Sequence, residues 1–329
     1  MTPDARLLKE LRRSSVHLPP GDIAAQIGTS RSEVEAGLGR LRDAGFEIET
    51  RPGLGCRLLG SPDRLIADDL LARVGECALA REILVFEETG STNDVAARFG
   101  REGHPGGLVV FAERQTSGRG RFGRNWDSAS HAGLWFSILL RPPLPPAEWV
   151  RLTTWAGVGV AAAVERFIQR TVQVKWPNDV LVSGRKVAGV LTECSTDQAG
   201  RFFGVVGIGL NVNQEEFPPE IADRAASLRQ VTGRELDRPV LASAVLRELD
   251  ARLASVENAF DIIIAEAVRR SSVLGCEIQL HAMDGTYQGI AEGLDSAGNL
   301  LLRLPDGVLR TMTAGEISSH PTVGVPILR

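Results

Sequence analysis

The chain has 329 residues, of which 43% are hydrophobic and 24% charged, and its formal net charge is -4. This length fits two or three domains, and the composition is that of a folded globular protein, which excludes the disordered and fibrous classes. A small negative charge provides no general basic field, so any nucleic-acid site must be local.

The four cysteines are far apart and form no C-x-x-C pair, so the sequence predicts neither a zinc site nor a disulfide framework. This cysteine usage is typical of a reducing compartment. The N-terminus has no apolar signal core, and the most apolar stretch, residues 153–164, meets Glu165 before it spans a bilayer. We therefore expect a cytoplasmic protein without a membrane partner.

Residues 1–60 predict three helices and a hairpin. Leu7, Leu8 and Leu11 share one helical face, and a second short helix runs from Pro20 to Gly28. A third helix begins at Ser30, where Ser30-Arg-Ser-Glu33 predicts a capping box. Strands at 46–50 and 56–59 follow, and this order is that of a winged helix-turn-helix.

The third helix would then read DNA, but its charges are balanced. Its basic residues Arg31, Arg40 and Arg42 face the acids Glu33, Glu35 and Asp43, whereas a recognition helix usually aims several basic or amide groups at the major groove. Arg51 in the turn of the hairpin is a fourth candidate DNA contact. Two interpretations stay open: a repressor domain that binds an operator, and a winged helix that only packs on or positions the rest of the chain.

The middle of the chain predicts an α+β domain. A helical linker is expected at 61–82, and the region 83–270 alternates β-rich and helical segments without regular βαβ winding. Asp237 is expected to cap a long amphipathic helix that contains Val245 and Leu249. From 271 to 329 short strands separated by Asp-Gly turns predict a small β-barrel.

Three motifs carry polar chemistry. The first is Gln115-Thr-Ser-Gly-Arg-Gly-Arg-Phe-Gly-Arg-Asn-Trp126, in which glycines alternate with arginines. Such glycines bring amides close to an anion and the arginines offer permanent charge, so we expect an anion clamp that faces solvent without ligand. The alternative is a Gly-Arg loop that contacts RNA or only solvent.

The other two motifs are weaker alone. The second motif is Lys175-Trp-Pro-Asn-Asp179, which precedes Lys186-Val-Ala-Gly189. In the interpretation without a function, Asn178 and Asp179 only shape a turn and Lys186 is an ordinary exposed lysine. Ser91-Thr92-Asn93 follows an apolar strand, where small polar residues commonly act as a helix N-cap.

In this order and spacing, with Gly207-Ile-Gly-Leu-Asn-Val-Asn213 and Gly315-Glu-Ile-Ser318, the motifs resemble the biotin protein ligases. The N-terminal unit makes the layout similar to the bifunctional biotin operon repressor and ligase. The resemblance implies a catalytic domain like that of class II aminoacyl-tRNA synthetases and an SH3-like C-terminal barrel. It also implies ATP with Mg²⁺, biotin as substrate, a biotin carboxyl carrier protein as partner, and dimerisation on biotinyl-5′-AMP.

The resemblance also implies roles for individual residues. Lys186, Arg119 and Arg121 would be catalytic, with Lys186 holding the biotin carboxylate and the α-phosphate. ATP would contact Arg121, Trp126, Asn178, Lys186 and Asn211, and no metal ligand is expected beyond the Mg²⁺ that accompanies ATP. The biotin site would comprise Ser91, Thr92, Asn93, Gln115, Gly118, Arg119, Gly120, Arg121, Lys186 and Gly189.

Two alternatives to a biotin ligase remain. Lipoate and octanoate ligases share the chemistry, but their R-R-x-x-G-G-G segment is absent. A regulator that only senses a ligand would not need both the arginine loop and Lys186. His320 stands where relatives often have arginine, and histidine supplies that charge only when protonated.

Overall fold

The computed structural model describes residues 1–318. Its N-terminal part consists of three helices followed by a two-stranded antiparallel sheet: α1 (Pro3–Arg13), α2 (Pro20–Ile27), α3 (Arg31–Asp43), β1 (Glu47–Arg51) and β2 (Gly55–Gly60). The apolar face expected on α1 is confirmed, since Leu7, Leu8 and Leu11 are buried. Gly28 ends α2 with φ 68°, a conformation that glycine adopts without strain.

The capping box expected on α3 is half right. Ser30 accepts the Glu33 amide at 3.2 Å, but the Glu33 carboxylate accepts from Arg40 at 2.8 Å and does not return to Ser30. Arg40 also donates to Asp4, so the ion pairs with α1 and with Glu33 replace the second half of the box.

The linker region is helical only in α4 (Ala67–Val74), so the helix expected over 61–82 is shorter than anticipated. Asp69 of this helix is buried and accepts hydrogen bonds from Arg12 on α1 and, at 2.7 Å, from Arg73. A buried carboxylate requires such partners, so this contact fixes α1 against α4.

The centre of the molecule is a seven-stranded sheet in the order β3-β4-β5-β9-β8-β7-β6. β3 and β4 are parallel and joined by the helix α5 (Thr92–Arg101), whereas the other neighbours are antiparallel. The strands are β3 (Glu82–Thr89), β4 (Leu108–Gln115), β5 (Gly133–Leu140), β6 (Gln173–Lys175), β7 (Asp179–Val182), β8 (Arg185–Thr196) and β9 (Phe202–Asn211).

Helices cover both faces of this sheet, as the alternation of β4 requires. Leu108 and Val110 pack with Ala96 of α5, while Val109 and Phe111 belong to the large core beneath α6 and α8. The helices are α5 (Thr92–Arg101), α6 (Val150–Ile168), α7 (Leu228–Thr232), α8 (Arg238–Asn258) and α9 (Phe260–Arg270). The expected cap of α8 is confirmed, because Asp237 accepts the Val240 amide at 2.8 Å.

A buried ion pair holds the start of α8 against the sheet. Arg238 is fully buried and donates to Glu113, itself 1% exposed, at 2.5 Å. The same arginine binds Asp63 in the linker, and Glu113 accepts the Leu65 amide at 2.8 Å. Linker, sheet and helix therefore share one network, in which Arg238 and Glu113 are buried and Asp63 is partly exposed.

The C-terminal strands form a separate antiparallel sheet in the order β13-β12-β11-β10-β14. The turns between these strands lie at the expected Asp-Gly positions. In the first of them Ala282 pairs with Gly285, so the chain reverses at Asp284. The strands are β10 (Glu277–Ala282), β11 (Gly285–Leu294), β12 (Leu300–Arg303), β13 (Leu309–Met312) and β14 (Glu316–Ile317). Within residues 1–318, no helix has the length and apolar character needed to cross a membrane.

Candidate active site

A cavity of about 990 Å³ lies where the central sheet meets the C-terminal sheet. The loop 116–131 between β4 and β5, the strands β6 to β9 and the residues around β14 line it. Every residue expected to bind biotin or ATP borders this cavity, apart from Gly118, which lies directly behind Gln115. Positions more than 100 residues apart in sequence are thus brought to one site.

The floor of the cavity at the start of α5 is a buried polar patch. The Thr92 amide donates to Gln115 Oε1 at 2.8 Å, the Thr92 hydroxyl oxygen lies 3.1 Å from that same Gln115 oxygen, and the Gln115 amide donates to Ser128 at 2.9 Å. Asn93 donates to Glu193 at 2.6 Å. The Asn93 amide rests against Gly207, where any side chain would overlap it.

Ser91 occupies the N-cap position of α5, yet its hydroxyl makes no capping bond. Thr92, by contrast, contacts the side-chain oxygen of Gln115 through both its backbone amide and its hydroxyl group. The simple interpretation of this segment as a helix cap therefore accounts for the position of Ser91 but not for its side chain, which is 4% exposed and borders the cavity.

The loop folds back on itself at its glycines. The Trp126 amide donates to Gly118 at 2.9 Å, and the Gly120 amide donates to Arg124 at 2.7 Å. A side chain at Gly118 would lie 2.6 Å from the Trp126 carbonyl oxygen, so only glycine fits there. Phe122 has φ 57° and is 57% exposed at the tip.

Arg119 is held by acids at the edge of the cavity. It forms a two-pronged ion pair with Asp94, at 2.7 and 2.8 Å, and lies 3.4 Å from Glu193. Hydrogen bonding to Arg119 lowers the pKa of Asp94. The base of the loop is therefore tied to α5 without any ligand.

The expectation that the loop faces solvent is right for its tip and wrong for Arg121. This side chain is half-buried and donates to the Gly315 carbonyl at 3.0 Å and to Asn178 at 3.3 Å. Burial lowers the pKa of Arg121. Arg124 pairs with Glu316, so two arginines join the loop to the C-terminal sheet.

Lys186 lies on β8, borders the cavity and has a side chain that is 31% exposed. Its Nζ is 2.6 Å from Asp179 Oδ1, an oxygen that makes no well-directed hydrogen bond, and 5.1 Å from the centre of the Trp126 ring. The Trp126 ring covers the backbone of β8 and β9, where a side chain at Gly209 would lie 2.4 Å from it. A cation over an aromatic face is stabilised by the ring quadrupole.

The Lys175–Asp179 motif joins the cavity to the C-terminal sheet. Lys175 donates to the Ile317 carbonyl at 2.8 Å, and burial lowers its pKa. The Trp176 indole donates to the Gly298 carbonyl at 3.1 Å, and the Trp176-Pro177 peptide bond is cis. Asn178 donates to the Val190 carbonyl at 3.0 Å, so this asparagine both shapes its turn and meets Arg121.

Asn211 borders the cavity with both ends of its amide occupied. It donates to the Ala226 carbonyl at 3.2 Å and accepts from Gln214 at 3.0 Å. These bonds hold the segment after β9 against the cavity wall.

The four arginines named for DNA binding are all engaged. Arg31 pairs with Glu35 at 2.8 Å and Arg51 with Glu49 at 2.9 Å. Arg40 is paired with Asp4 and Glu33, as described above. Arg42 donates to Thr50 on β1 at 2.7 Å. His320 lies outside the described residues.

Sequence reasoning missed three polar residues of the site. Ser137 was detectable as the lone polar residue in the buried strand β5, and Glu193 as the first charge after the apolar run of β8. Asp94 carried no such signal, because an acid in the first turn of a helix is common.

Comparison with known proteins agrees with this arrangement. The family profile "Biotin/lipoate A/B protein ligase family" matches residues 85–211, and the profile "Biotin protein ligase C terminal domain" matches residues 273–319. The bifunctional ligase/repressor BirA of Bacillus subtilis is 31% identical over 295 residues, which cover 89% of this chain and 91% of that protein.

Two further relatives extend the comparison. The biotin–[acetyl-CoA-carboxylase] ligase of Mycobacterium tuberculosis is 35% identical, over 78% of this chain and 94% of that protein. The structure of the biotin protein ligase from Aquifex aeolicus in complex with biotin and ATP superimposes with a TM-score of 0.63 at 34% identity, over 72% of this chain and 98% of that one. The resemblance seen in the ordered motifs is confirmed: this chain belongs to the biotin protein ligase family.

Proposed function

We propose that this chain joins biotin to ATP, forming biotinyl-5′-AMP, and passes the biotinyl group to a lysine of a biotin carboxyl carrier protein. One observation carries the proposal. A buried floor of neutral hydrogen-bonding groups, suited to a ureido ring, adjoins a wall of cations within the same cavity. The Aquifex aeolicus relative, whose structure was solved in complex with biotin and ATP, supports the same pair of substrates.

Biotin would lie on the floor, with its ureido ring at Ser91, Thr92 and Gln115 because these groups offer both donors and acceptors. Gly120 and Gly189 would border the bound biotin without a side chain of their own, and Gly118 would hold the loop close to Trp126 behind the floor. Asn93 borders the cavity, but its amide would act by holding the floor in place, since its Nδ2 donates to Glu193 and its Oδ1 lies against Ser137.

ATP would lie between the loop and the segment after β9. Trp126 would pack near the adenine, and Asn178 and Asn211 would shape the nucleotide pocket. Mg²⁺ would neutralise the departing pyrophosphate. Asp179 borders the cavity and is the carboxylate that would be available to that ion once the phosphates draw Lys186 from its Oδ1, since Mg²⁺ takes one or two carboxylates beside phosphate oxygens.

The chemistry of the first step follows from charge. The biotin carboxylate attacks the α-phosphorus, the bond to the pyrophosphate oxygen breaks, and negative charge grows on the phosphoryl oxygens. Lys186, Arg119 and Arg121 are fixed cations where that charge develops, and such preorganised groups stabilise the transition state. In the second step a neutral carrier lysine attacks the mixed anhydride and AMP leaves.

A mass measurement tests the proposal as a whole. A biotin-carrier domain incubated with this chain, biotin and Mg-ATP should gain the mass of one biotinyl group. A ligand-sensing regulator would leave the carrier unmodified, and a lipoate or octanoate ligase would modify it only with those acids.

Arg121→Gly should release the intermediate without unfolding the chain. The side chain closes the cavity through Asn178 and Gly315, and the loop should keep water from the anhydride only while that contact holds. Free biotinyl-AMP and indiscriminate labelling of lysines should then appear, measurable by chromatography and mass spectrometry. Arg234→Gly, at an exposed loop position that does not border the cavity, is the matched control. A variant that retains its intermediate as tightly as the wild type would remove Arg121 from the lid.

We further propose four units: a winged helix-turn-helix at 1–60, a linker at 61–82, a catalytic domain of the class II synthetase type at 83–270, and an SH3-like barrel at 271–329. The order of α1–α3 and the β1–β2 hairpin supports the first unit. The five-stranded antiparallel order of the last sheet supports the fourth.

The N-terminal unit would be a weak operator-binding domain that acts as a dimer carrying biotinyl-AMP. Each of Arg31, Arg40 and Arg51 already pairs with an acid, so binding DNA requires breaking those pairs. The name of the Bacillus relative, a ligase and repressor, supports the assignment.

Deletion of residues 1–60 separates its two possible duties. If the unit is a repressor domain, the deletion should abolish binding to a palindromic site near biotin-synthesis genes and leave ligation intact. Binding by the full chain should fall steeply with salt as phosphate counterions are released. Collapse of ligation would instead assign the unit to support of the catalytic domain. Tight binding unaffected by Arg31→Ala, Arg40→Ala and Arg42→Ala would move the recognition helix elsewhere.

A further inference from the structure

A line of polar side chains runs beneath the floor of the cavity from the partly exposed Glu193, through three buried side chains, to the half-buried Gln115. Asn93 Nδ2 donates to Glu193 at 2.6 Å, and Ser137 Oγ lies 2.5 Å from Asn93 Oδ1. The same hydroxyl is 2.7 Å from Thr92 Oγ1, which in turn lies 3.1 Å from Gln115 Oε1. Ser137 is fully buried and Thr92 borders the cavity.

Both ends of this line can only accept hydrogen bonds. Glu193 is a carboxylate without a hydrogen to give, so the Asn93 amide must turn its Nδ2 toward it and its Oδ1 toward Ser137. At the other end the Thr92 amide and the bond to Ser128 fix Gln115 with Oε1 toward Thr92.

Between these two acceptors there are three short oxygen contacts and only two hydroxyl hydrogens. The Ser137 hydrogen goes to Asn93 Oδ1, and the Thr92 hydrogen can satisfy only one of its two remaining contacts. The longest contact, between Thr92 Oγ1 and Gln115 Oε1, is the one best suited to lack a hydrogen. The lone pairs of two oxygens then face each other at the cavity wall, although Gln115 Oε1 still accepts the Thr92 amide, and a donor placed between the two oxygens would relieve this repulsion.

We propose that Glu193 is a positioning residue that keeps this floor one hydrogen short, so that the pocket selects a ligand that donates an N–H between Thr92 and Gln115. The identification of that donor as a ureido N–H of biotin rests on the proposed function. Glu193 does not touch the ligand. It acts through the orientation of Asn93 and the hydroxyl of Ser137.

Glu193→Gln supplies the missing hydrogen. A glutamine can donate to Asn93 Oδ1, which lets the Asn93 amide turn and donate to Ser137. Ser137 then donates to Thr92 and Thr92 to Gln115, so every contact is satisfied without a ligand.

The test is calorimetric binding to the full-length chain without ATP. The probes are biotin and its two cyclic carbamate analogues, in which oxygen replaces one or the other ureido N–H. The wild type should prefer biotin over the analogue that loses the bridging donor by roughly 10- to 100-fold, the range for a buried polar group left unpaired. In Glu193→Gln the affinity for biotin should fall about tenfold and this preference should shrink several-fold.

A merely structural role for Glu193 predicts a different pattern. Loss of a supporting contact would lower the melting temperature of the ligand-free protein and weaken all three ligands alike. The proposal predicts an unchanged or raised melting temperature without ligand and a smaller rise on adding biotin. Asp94→Asn is the matched control, since it removes the other acid of Arg119 but leaves the line intact, so it should keep the preference for biotin.

The outcomes separate this inference from the proposed function. A wild-type chain that does not bind biotin would overturn the proposed function. A wild type that binds biotin, with Glu193→Gln showing the same preference over the carbamates, would overturn only the role of Glu193. If Glu193→Gln does not fold, Ser137→Ala, which frees the Thr92 hydrogen for Gln115, must show the reduced preference instead.

Discussion

Lys186→Ala is expected to slow the formation of biotinyl-AMP by about 10²- to 10³-fold, the loss that follows removal of one preorganised charge partner. Lys186 is the cation that faces the cavity across Trp126, and its anchor Asp179 would be left as an uncompensated negative charge near the phosphates. Both effects raise the barrier to bringing two anions together. Pyrophosphate release from biotin and ATP measures the step directly.

Arg185→Ala is the matched control for this variant. Arg185 begins the same strand and carries the same charge, but it does not border the cavity. If Lys186→Ala releases pyrophosphate at the wild-type rate, Lys186 is not the cation that stabilises the α-phosphate, whatever the control shows.

Arg238→Ala is expected to lower the free energy of unfolding by about 3–5 kcal/mol, the cost of leaving one partner of a buried ion pair. The buried Glu113 would keep the Leu65 amide as a partner but lose its arginine, and the partly exposed Asp63 would lose the same side chain. Urea denaturation followed by fluorescence should therefore show a large shift of the midpoint.

The exposed Arg234→Ala, a few residues away, should leave the midpoint nearly unchanged. Replacing both partners with apolar residues, as in Arg238→Met with Glu113→Leu, should restore part of the stability, because no charge remains buried. A single variant as stable as the wild type would mean that water or movement relieves the buried carboxylate.

Local features of the fold could be predicted from the sequence because their causes are local. The spacing of Leu7, Leu8 and Leu11 gave the buried face of α1, and Asp237 gave the start of α8. The Asp-Gly turns gave the C-terminal strands. Where a second side chain competes, local reasoning failed: the Glu33 carboxylate binds Arg40 instead of completing its cap.

The composition of the site could also be predicted, but its pairing could not. The motifs named the loop arginines and Lys186, yet not that Arg119 is held by an acid 25 residues earlier and another 74 residues later. Such partners depend on how β4, α5 and β8 are brought together by the sheet. A motif fixes which groups are present, whereas packing decides which of them remain free for a ligand.

The seam between the cavity and the C-terminal sheet has a consequence for sequence variation. Arg121, Lys175 and Trp176 each donate to a main-chain carbonyl, at Gly315, Ile317 and Gly298. A carbonyl is present whatever the side chain, so these three bonds are encoded on one side only, unlike the ion pair between Arg124 and Glu316. A substitution of Ile317 would leave the hydrogen bond to its main-chain carbonyl in place. A substitution of Arg121, Lys175 or Trp176 would remove one of the three hydrogen bonds. The C-terminal unit can thus diverge in sequence and still meet the same partner surface.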